Sequence, residues 1–266
     1  MRLQLMTWME VETYLKTERG IIIPIGSTEQ HGPIGLIGTD AICPEAIANR
    51  AAEDLGCVVG PTLSIGMAQH HLAFAGSIAL RPTTLIAVIK DTVLSLARNG
   101  FERFYFLNGH GGNIPTTAAA FSEIYAERSL NPGFDRPPVR CKLANWFGYP
   151  SVRTLCEELY EDRDGHHATA SEVAVTQFAY PDHIKSVPMD PAPPRPRPFY
   201  DAEDYRAIHP DGRIAADSFL ATPEAGGRLV AASAAALVED YRAFMTEIGG
   251  EKRCAASLLV ALEGLA

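Results

Sequence analysis

The sequence has few cysteines, little positive charge and no long apolar run. Its five cysteines are scattered, odd in number and never spaced as CxxC, which argues against a disulfide framework and a thiolate zinc site. Lys and Arg total 23 against 32 Asp and Glu, a formal net charge of −9. Because phosphate affinity depends on clustered Lys and Arg, we expect no nucleic-acid partner. No run approaches about 18 apolar residues, so we expect no membrane span.

The first residues also lack the pattern of a signal peptide. The weak apolar run from Leu3 to Met9 is broken by Gln4 and followed by Glu10, unlike the basic start and apolar core of secretory signals. Scattered cysteines are typical of small buried side chains in a reducing compartment. We therefore expect a cytoplasmic protein.

Short β-rich runs alternate with longer helical patterns through about the first 180 residues. The predicted strands are 21–25, 57–59, 104–107 and 139–144, and the predicted helices are 40–54, 82–99, 114–128 and 168–179. This alternation predicts an α/β fold with a mainly parallel sheet and helices on both faces. A chain of 266 residues with 47% hydrophobic content is long enough to bury one large core.

Six prolines between positions 188 and 198 exclude a helix or an inner strand and predict an extended surface excursion. Beyond it the pattern is mostly helical and has no strands of its own. An Ala-rich stretch, 224–248, predicts a long helix that packs closely, either in this core or against another subunit. The segment 255–265 is apolar but too short for a membrane. We therefore predict a single domain, 1–266, with a helical C-terminal part.

Side chains that ligate metals follow the first predicted strand. Glu29 and His31 are two residues apart and point the same way on an extended backbone. The alternative for both is a solvated loop. Asp40 lies just before a predicted helix, where an N-cap is an equally good interpretation.

A second cluster, Asn108-Gly-His110-Gly-Gly-Asn113, connects the third strand with a helix. Such a turn brings backbone N–H groups close to a ligand at the carboxyl end of the sheet, where open α/β sheets bind ligands. Neither GxGxxG nor GxxxxGK[ST] fits. We favour a tight turn with His110 as a ligand, and a phosphate-binding loop in a nucleotide-binding protein is the alternative.

Two further clusters contain histidine. His167 and Glu172 lie at the start of a predicted helix, where Glu172 alternatively serves as a first-turn carboxylate favoured by the helix dipole. His70 and His71 lie in a loop near Phe74 and are alternatively surface residues. Imidazoles and carboxylates without thiolates suit Zn²⁺, Mn²⁺ or Fe²⁺. The sequence lacks GxSxG and a local cysteine-nucleophile signature.

Read in chain order, these motifs resemble the creatininase (creatinine amidohydrolase) family over about residues 20–180. The segments that carry the resemblance are Glu29-Gln-His31-Gly-Pro33, Thr39-Asp40, the Asn108–Asn113 cluster and His167-Ala-x-x-x-Glu172. The resemblance implies an αβα sandwich, two divalent metal ions per subunit and commonly a homohexamer. It also implies hydrolysis of cyclic or linear amide C–N bonds.

The resemblance further implies roles for individual residues. Glu29 and His110 would hold one metal, His31 the other, and Asp40 would bridge both. The family glutamate two residues after the NGH histidine is Gly112 here, so Glu172 is the replacement ligand, a base, or both.

His167 matches the family's catalytic histidine. The expected substrate contacts are His71, Gly111, Gly112 and Asn113. The loop containing His71 departs from the family pattern at Ala75 and Ser77, as does the segment 34–38. The substrate-facing loops therefore differ from those of creatininase proper.

We expect an amidohydrolase that uses a metal-bridging hydroxide to hydrolyse the amide of a small molecule, such as creatinine, a lactam or a formamide. His167 would move a proton to the leaving nitrogen. The alternatives are a peptide-trimming relative and a catalytically silent metal-binding or regulatory protein on the same scaffold. The expected partners are the amide substrate and further copies of the chain.

Overall fold

The computed structural model describes residues 1–131 and 138–247. In these residues four parallel strands form one sheet in the order β2-β1-β3-β4. The strands are β1 (Gly20–Ile25), β2 (Val58–Val59), β3 (Arg103–Asn108) and β4 (Arg140–Asn145). In the register, Ile25 lies opposite Asn108, which in turn lies opposite Asn145. The carboxyl ends of three strands are therefore level.

Eight α-helices accompany the sheet in the described residues. They are α1 (Trp8–Tyr14), α2 (Thr39–Leu55), α3 (Pro82–Arg98), α4 (Asn113–Leu130), α5 (Pro150–Tyr160), α6 (Ala170–Ala179), α7 (Ala202–Ile208) and α8 (Pro223–Thr246). The predicted helices correspond to α2, α3, α4, α6 and α8, with small shifts at their ends. Three helices, α1, α5 and α7, were not predicted. All three carry recognisable start signals: a capping box of Thr7 and Glu10 on α1, Pro150 at the start of α5, and Asp201 as the N-cap of α7.

The helices form two layers, one on each face of the sheet. Along β1, Ile22 packs into a core with α2, α5, α6 and α8, whereas Ile21, Ile23 and Ile25 pack into a second core with α1, α3 and α4. Successive side chains of a strand point to opposite faces, and a parallel sheet covered on both faces reads as a continuous apolar run. The predicted three-layer α/β architecture is confirmed.

The long Ala-rich helix α8 packs in the core of this chain, against α2, α5 and α6. Small side chains suit this close approach: a Cβ on Gly226 would lie 2.0 Å from the carbonyl oxygen of Ala174. The predicted end of this helix at Ile248 and the apolar segment 255–265 lie outside the described residues. Of the helices described, none is long and apolar enough to cross a membrane.

The proline-rich excursion contains no helix or strand from residue 184 to residue 200, in agreement with its proline pattern. It is attached to the loop that follows α7 at two points. The amide of Ala215 donates to the carbonyl oxygen of Pro194, and the buried guanidinium of Arg213 donates to that of Asp190 at 2.6 Å. These bonds bring the end of the excursion, Phe199, to the carboxyl edge of the sheet.

Candidate metal centre

The strand order places a crevice where the chain changes direction. From β1 the chain proceeds to β2 on one side, and β3 then pairs on the other side. Ligand sites in open α/β sheets lie at such a switch point, outside the carboxyl ends of the strands. The loop after β1 carries Glu29 and His31, and the loop after β3 carries His110. The fold therefore brings two of the predicted clusters together.

Asp40 joins them from the first turn of α2. The N-cap position is Gly38 and not Asp40, so the N-cap interpretation of Asp40 is wrong. Pro44 has no N–H to bond the carbonyl oxygen of Asp40, and this oxygen packs against the sheet instead. A Cβ on either Gly26 or Gly109 would lie 2.1 Å from it. The two glycines allow the helix to reach the strand ends, which buries the Asp40 carboxylate.

Five side chains form what we call the floor of the site: Glu29, His31, Asp40, His110 and Glu172. His110 Nδ1 lies 3.2 Å from Glu29 Oε1 and 3.1 Å from Asp40 Oδ2. The other oxygen of Asp40, Oδ1, lies 3.0 Å from His31 Nε2. Asp40 thus faces one histidine with each of its oxygens.

The floor divides into two groups of three residues. Within each group, the potential ligand atoms all lie within 4.8 Å of one another. One is Glu29, Asp40 and His110, and the other is His31, Asp40 and Glu172. Asp40 is common to both, which is the partition that the family resemblance implies. A third group, Glu29, His31 and His167, overlaps them.

Hydrogen bonds to the backbone orient the two floor histidines. His110 Nε2 lies 2.9 Å from the carbonyl oxygen of Met67, and His31 Nδ1 lies 3.1 Å from that of Glu29. Because a carbonyl oxygen only accepts, each of these nitrogens carries the ring hydrogen. In the neutral ring that ligates a metal, the lone pair of the other nitrogen would then point at the carboxylates, as in metal sites with a supporting outer layer of hydrogen bonds.

The floor has the donor set and the unmet polar atoms that a metal site needs. Glu29 Oε2 is buried without a hydrogen bond from any described residue, while Glu29 Oε1 and Asp40 Oδ2 face histidine nitrogens at 3.1–3.2 Å. Uncompensated buried carboxylates are strongly destabilising. Nitrogen and oxygen donors without sulfur suit Zn²⁺, Mn²⁺ or Fe²⁺. The residues present therefore fit divalent cations.

The electrostatics of the floor follow from burial and from charge pairing. Burial opposes the charge on His31, but the adjacent Asp40 outweighs it and raises the pKa of His31 to about 10. Burial likewise opposes the charge on His110, yet Glu29 and Asp40 hold its pKa well above the ordinary value. The carboxylates thus stabilise positive charge at this place. A bound divalent cation supplies that charge itself, and its imidazole ligands are then neutral.

Glu172 combines both interpretations that the sequence left open. Its Oε2 accepts hydrogen bonds from the Thr169 amide at 2.9 Å and the Thr169 hydroxyl at 2.8 Å, completing a capping box on α6. The same carboxylate belongs to the group with His31 and Asp40. Burial raises the pKa of Glu172 to about 7. Position 112 has no room for a side chain, because a Cβ on Gly112 would lie 2.4 Å from His110 Nε2.

Two more predicted histidines lie above the floor. His167 places Nδ1 3.9 Å from Glu29 Oε1, and its Nε2 lies 2.9 Å from the backbone oxygen of Gln30. Burial, followed by the nearby positive charge of His31, holds the pKa of His167 well below the ordinary value. His71 is buried, with Nε2 3.2 Å from Glu29 Oε1. The surface interpretation of His71 is therefore wrong.

A cavity of about 440 Å³ opens above the floor. Four residues form what we call its wall: Phe147, Phe199, Tyr205 and Ile214. They come from segments far along the chain, and no motif pointed to them. His70, Gly111 and Gly112 also line the cavity.

Asn113, a predicted substrate contact, faces away from the cavity lining. It is fully buried, its Nδ2 donates to the carbonyl oxygen of Gly26 at 2.9 Å, and its Oδ1 accepts from the amide of Met67 at 3.0 Å. In this structure Asn113 ties the loop after β1 to the start of α4.

Three curated hydrolases are similar to this chain in sequence. Creatinine amidohydrolase of Pseudomonas putida is 27% identical over 203 residues, 74% of this chain and 78% of that protein. Mycofactocin precursor peptide peptidase of Mycolicibacterium smegmatis is 34% identical over 113 residues, 40% of this chain and 45% of that protein. The 3-dehydro-scyllo-inosose hydrolase of Thermotoga maritima is 31% identical over 125 residues, 46% of this chain and 40% of that protein. The matches to the last two thus span less than half of each protein.

Solved structures show the same fold. A crystal structure of creatinine amidohydrolase (creatininase) aligns with a TM-score of 0.81 at 22% identity, covering 93% of this chain and 98% of that one. A manganese form of creatininase aligns with a TM-score of 0.81 at 22% identity, covering 92% and 99%. The sequence profile of the creatininase family, described as creatinine amidohydrolase, matches residues 4–241. Because this match spans most of its length, the chain belongs to the creatininase family.

Proposed function

We propose that this chain is a metal-dependent amidohydrolase that binds two divalent cations and hydrolyses an amide C–N bond of a small molecule. The observation that carries the proposal is the pair of ligand groups that share Asp40 at the bottom of a cavity. A carboxylate common to two groups of N and O donors is the arrangement expected of a two-metal hydrolytic site.

When bound, two divalent cations would supply hydroxide at neutral pH and polarise an amide carbonyl. Glu29 and His110 would hold one of them and His31 and Glu172 the other, with Asp40 common to both groups. His167 Nδ1, whose lone pair faces the floor at 3.9 Å from Glu29 Oε1, accepts a proton and delivers it to the leaving nitrogen. Burial is the main reason that the pKa of His167 lies well below its usual value, which keeps the ring neutral with the Nδ1 lone pair free.

The cavity favours a non-peptide amide. A volume of about 440 Å³ suits a small ligand, and the wall residues Phe199 and Tyr205 close it on one side. Creatinine amidohydrolase, a relative, acts on such a molecule by its name. The second candidate is peptide trimming, which the 34% identity with a mycofactocin precursor peptide peptidase favours.

Zinc and manganese are the first metals to test, since structural relatives include an Mn creatininase and a mutant creatininase of the Zn-Zn type. Iron suits the same ligands. We also propose, from the family resemblance, a cytoplasmic enzyme that assembles as a homohexamer.

Metal analysis of protein purified without chelator tests the proposal. We expect two equivalents of transition metal per chain, and loss of most of it in Asp40→Asn, because both ligand groups lose their common member. The matched control is Asp54→Asn, at the exposed end of the same helix. The metal-loaded protein is then assayed with creatinine, lactams, formamides and short peptides. Metal-free wild type, or unchanged metal content in Asp40→Asn, contradicts the proposal, as does failure to hydrolyse any amide of the panel.

A further inference from the structure

In the chain, Gln30 lies between two floor residues, Glu29 and His31. None of the hydrogen bonds described for its side-chain amide goes to the side chain of either neighbour. Gln30 is buried, and its amide lies between the ring of His71 and the loop after α7. Nε2 lies 3.0 Å from His71 Nδ1, 2.9 Å from His167 Nε2 and 3.0 Å from the carbonyl oxygen of Gly212. One amide therefore meets two histidines of the site and a distant loop.

The backbone determines which way this amide faces. Gln30 Oε1 accepts from the amide of Gly32 at 2.9 Å, while the Gly212 oxygen on the Nε2 side only accepts. In a flipped amide, the side-chain oxygen would face the carbonyl oxygen of Gly212, and the side-chain NH₂ group would face the N–H of Gly32. Neither pair can form a hydrogen bond. Gly212 has φ +89°, and a Cβ there would lie 1.8 Å from Oε1. The amide packs directly on this glycine.

Counting hydrogens then assigns both histidines. His167 Nε2 lies 2.9 Å from the backbone oxygen of Gln30, which only accepts, so this nitrogen carries its own hydrogen. The two Nε2 hydrogens of Gln30 are left for the Gly212 oxygen and for His71 Nδ1, so the 2.9 Å contact of Gln30 Nε2 with His167 Nε2 is not a hydrogen bond. Since His71 Nδ1 accepts, the hydrogen of that ring is on Nε2, which lies 3.2 Å from Glu29 Oε1.

We propose that Gln30 is a positioning residue for the metal centre. Its amide sets the tautomer of His71, so that the N–H of His71 faces the Glu29 carboxylate and holds it in place for its metal. The role assigned to Glu29 depends on the proposed function, whereas the hydrogen-bond assignment does not. Outer hydrogen-bond partners of metal ligands typically contribute about 10–100-fold to metal affinity or activity.

Two replacements of Gln30 and two readouts test this proposal. Gln30→Glu keeps an acceptor for the Gly32 amide but cannot donate to His71, and Gln30→Met fills the space with neither function. The first readout is the ¹⁵N chemical shifts of the His71 ring in folded, metal-free protein. The second is zinc and manganese affinity, measured by competition with a chelator.

We expect His71 Nδ1 to be without hydrogen in wild type and to carry it in Gln30→Glu. Both variants should bind metal about 10–100-fold more weakly than wild type. The control Ser77→Ala removes only the acceptor of the Gln30 backbone amide, and should keep the wild-type tautomer and affinity. Thermal unfolding of each variant shows that it is folded.

A hydrogen on Nδ1 in wild type, or wild-type affinity in both Gln30 variants, overturns the proposal. If wild type binds no metal but Gln30→Glu moves the hydrogen, the proposed function fails while the positioning of His71 by Gln30 stands.

Discussion

The floor and the wall of the cavity are built in different ways. Floor residues follow the strand ends or begin helices that contact them, and Glu29, His31 and Asp40 are almost fully buried. In the wall, Phe147 follows β4, but Phe199, Tyr205 and Ile214 come from later segments without strands, and Phe199 ends a proline-rich stretch of mostly exposed residues. Backbone pairing across the sheet therefore sets the chemistry, whereas the wall depends on side-chain anchors such as Arg213.

The largest expected effect comes from His167→Ala, which separates proton transfer from metal binding. We expect kcat to fall by about 10²–10⁴-fold, the usual contribution of a positioned acid or base, while metal content stays close to wild type. The matched control is His183→Ala, a histidine in an exposed turn away from the cavity. Steady-state kinetics and metal analysis measure both quantities. Loss of metal together with activity would instead make His167 a ligand, as its group with Glu29 and His31 permits.

The wall gives a smaller and different effect. Phe199→Ala should raise KM by roughly 10-fold, as expected for losing apolar contact in a pocket, with kcat and metal content near wild type. Tyr200→Ala is the matched control, because the neighbouring Tyr200 is 91% exposed and is not part of the cavity lining. A fall in kcat without a change in KM would mean that Phe199 acts on the chemistry and not on substrate binding.

The smallest expected effect is on the pH dependence of folding stability in metal-free protein. As pH falls, groups at the floor and at the wall should change the free energy of unfolding in opposite directions. His209 is buried against the wall residue Tyr205, with ring centroids 5.1 Å apart, and burial lowers its pKa. Below about pH 6.5 the unfolded chain takes up a proton that folded His209 resists, so this contribution to stability is lost as pH falls. His31, with its pKa raised to about 10 by Asp40 against the effect of burial, contributes stability that is fully present below about pH 6.5 and is lost as pH rises from there through about 10.

When the pH is lowered from about 7.5 to about 5.5, the free energy of unfolding should therefore fall less in His209→Phe than in wild type. Urea unfolding of metal-free protein at both pH values measures this difference, with His183→Phe as control. An equal or larger loss in His209→Phe would show that His209 is not a source of acid sensitivity.

Local sequence patterns predicted the four strands, five of the helices and the residues of the floor. They succeeded because strand and helix periodicities and the Glu29–His31 and Asn108–Asn113 motifs are contained in short stretches of chain. Helices α1 and α7 have seven residues each, too few for a clear helical period. The wall was missed because its residues come together only through contacts between distant segments, such as the pairing of His167 with Ile214.

The sequence by itself determined the fold class and the type of ligand, since apolar periodicity and the choice of imidazoles and carboxylates are local properties. The tertiary structure alone decided that Glu172 caps a helix while facing the floor, and that Gln30 bonds to a loop 182 residues away. The physical reason is that these relations are distances between side chains. Those distances depend on strand order, on the close approach of helices at glycines and on buried hydrogen bonds between remote segments.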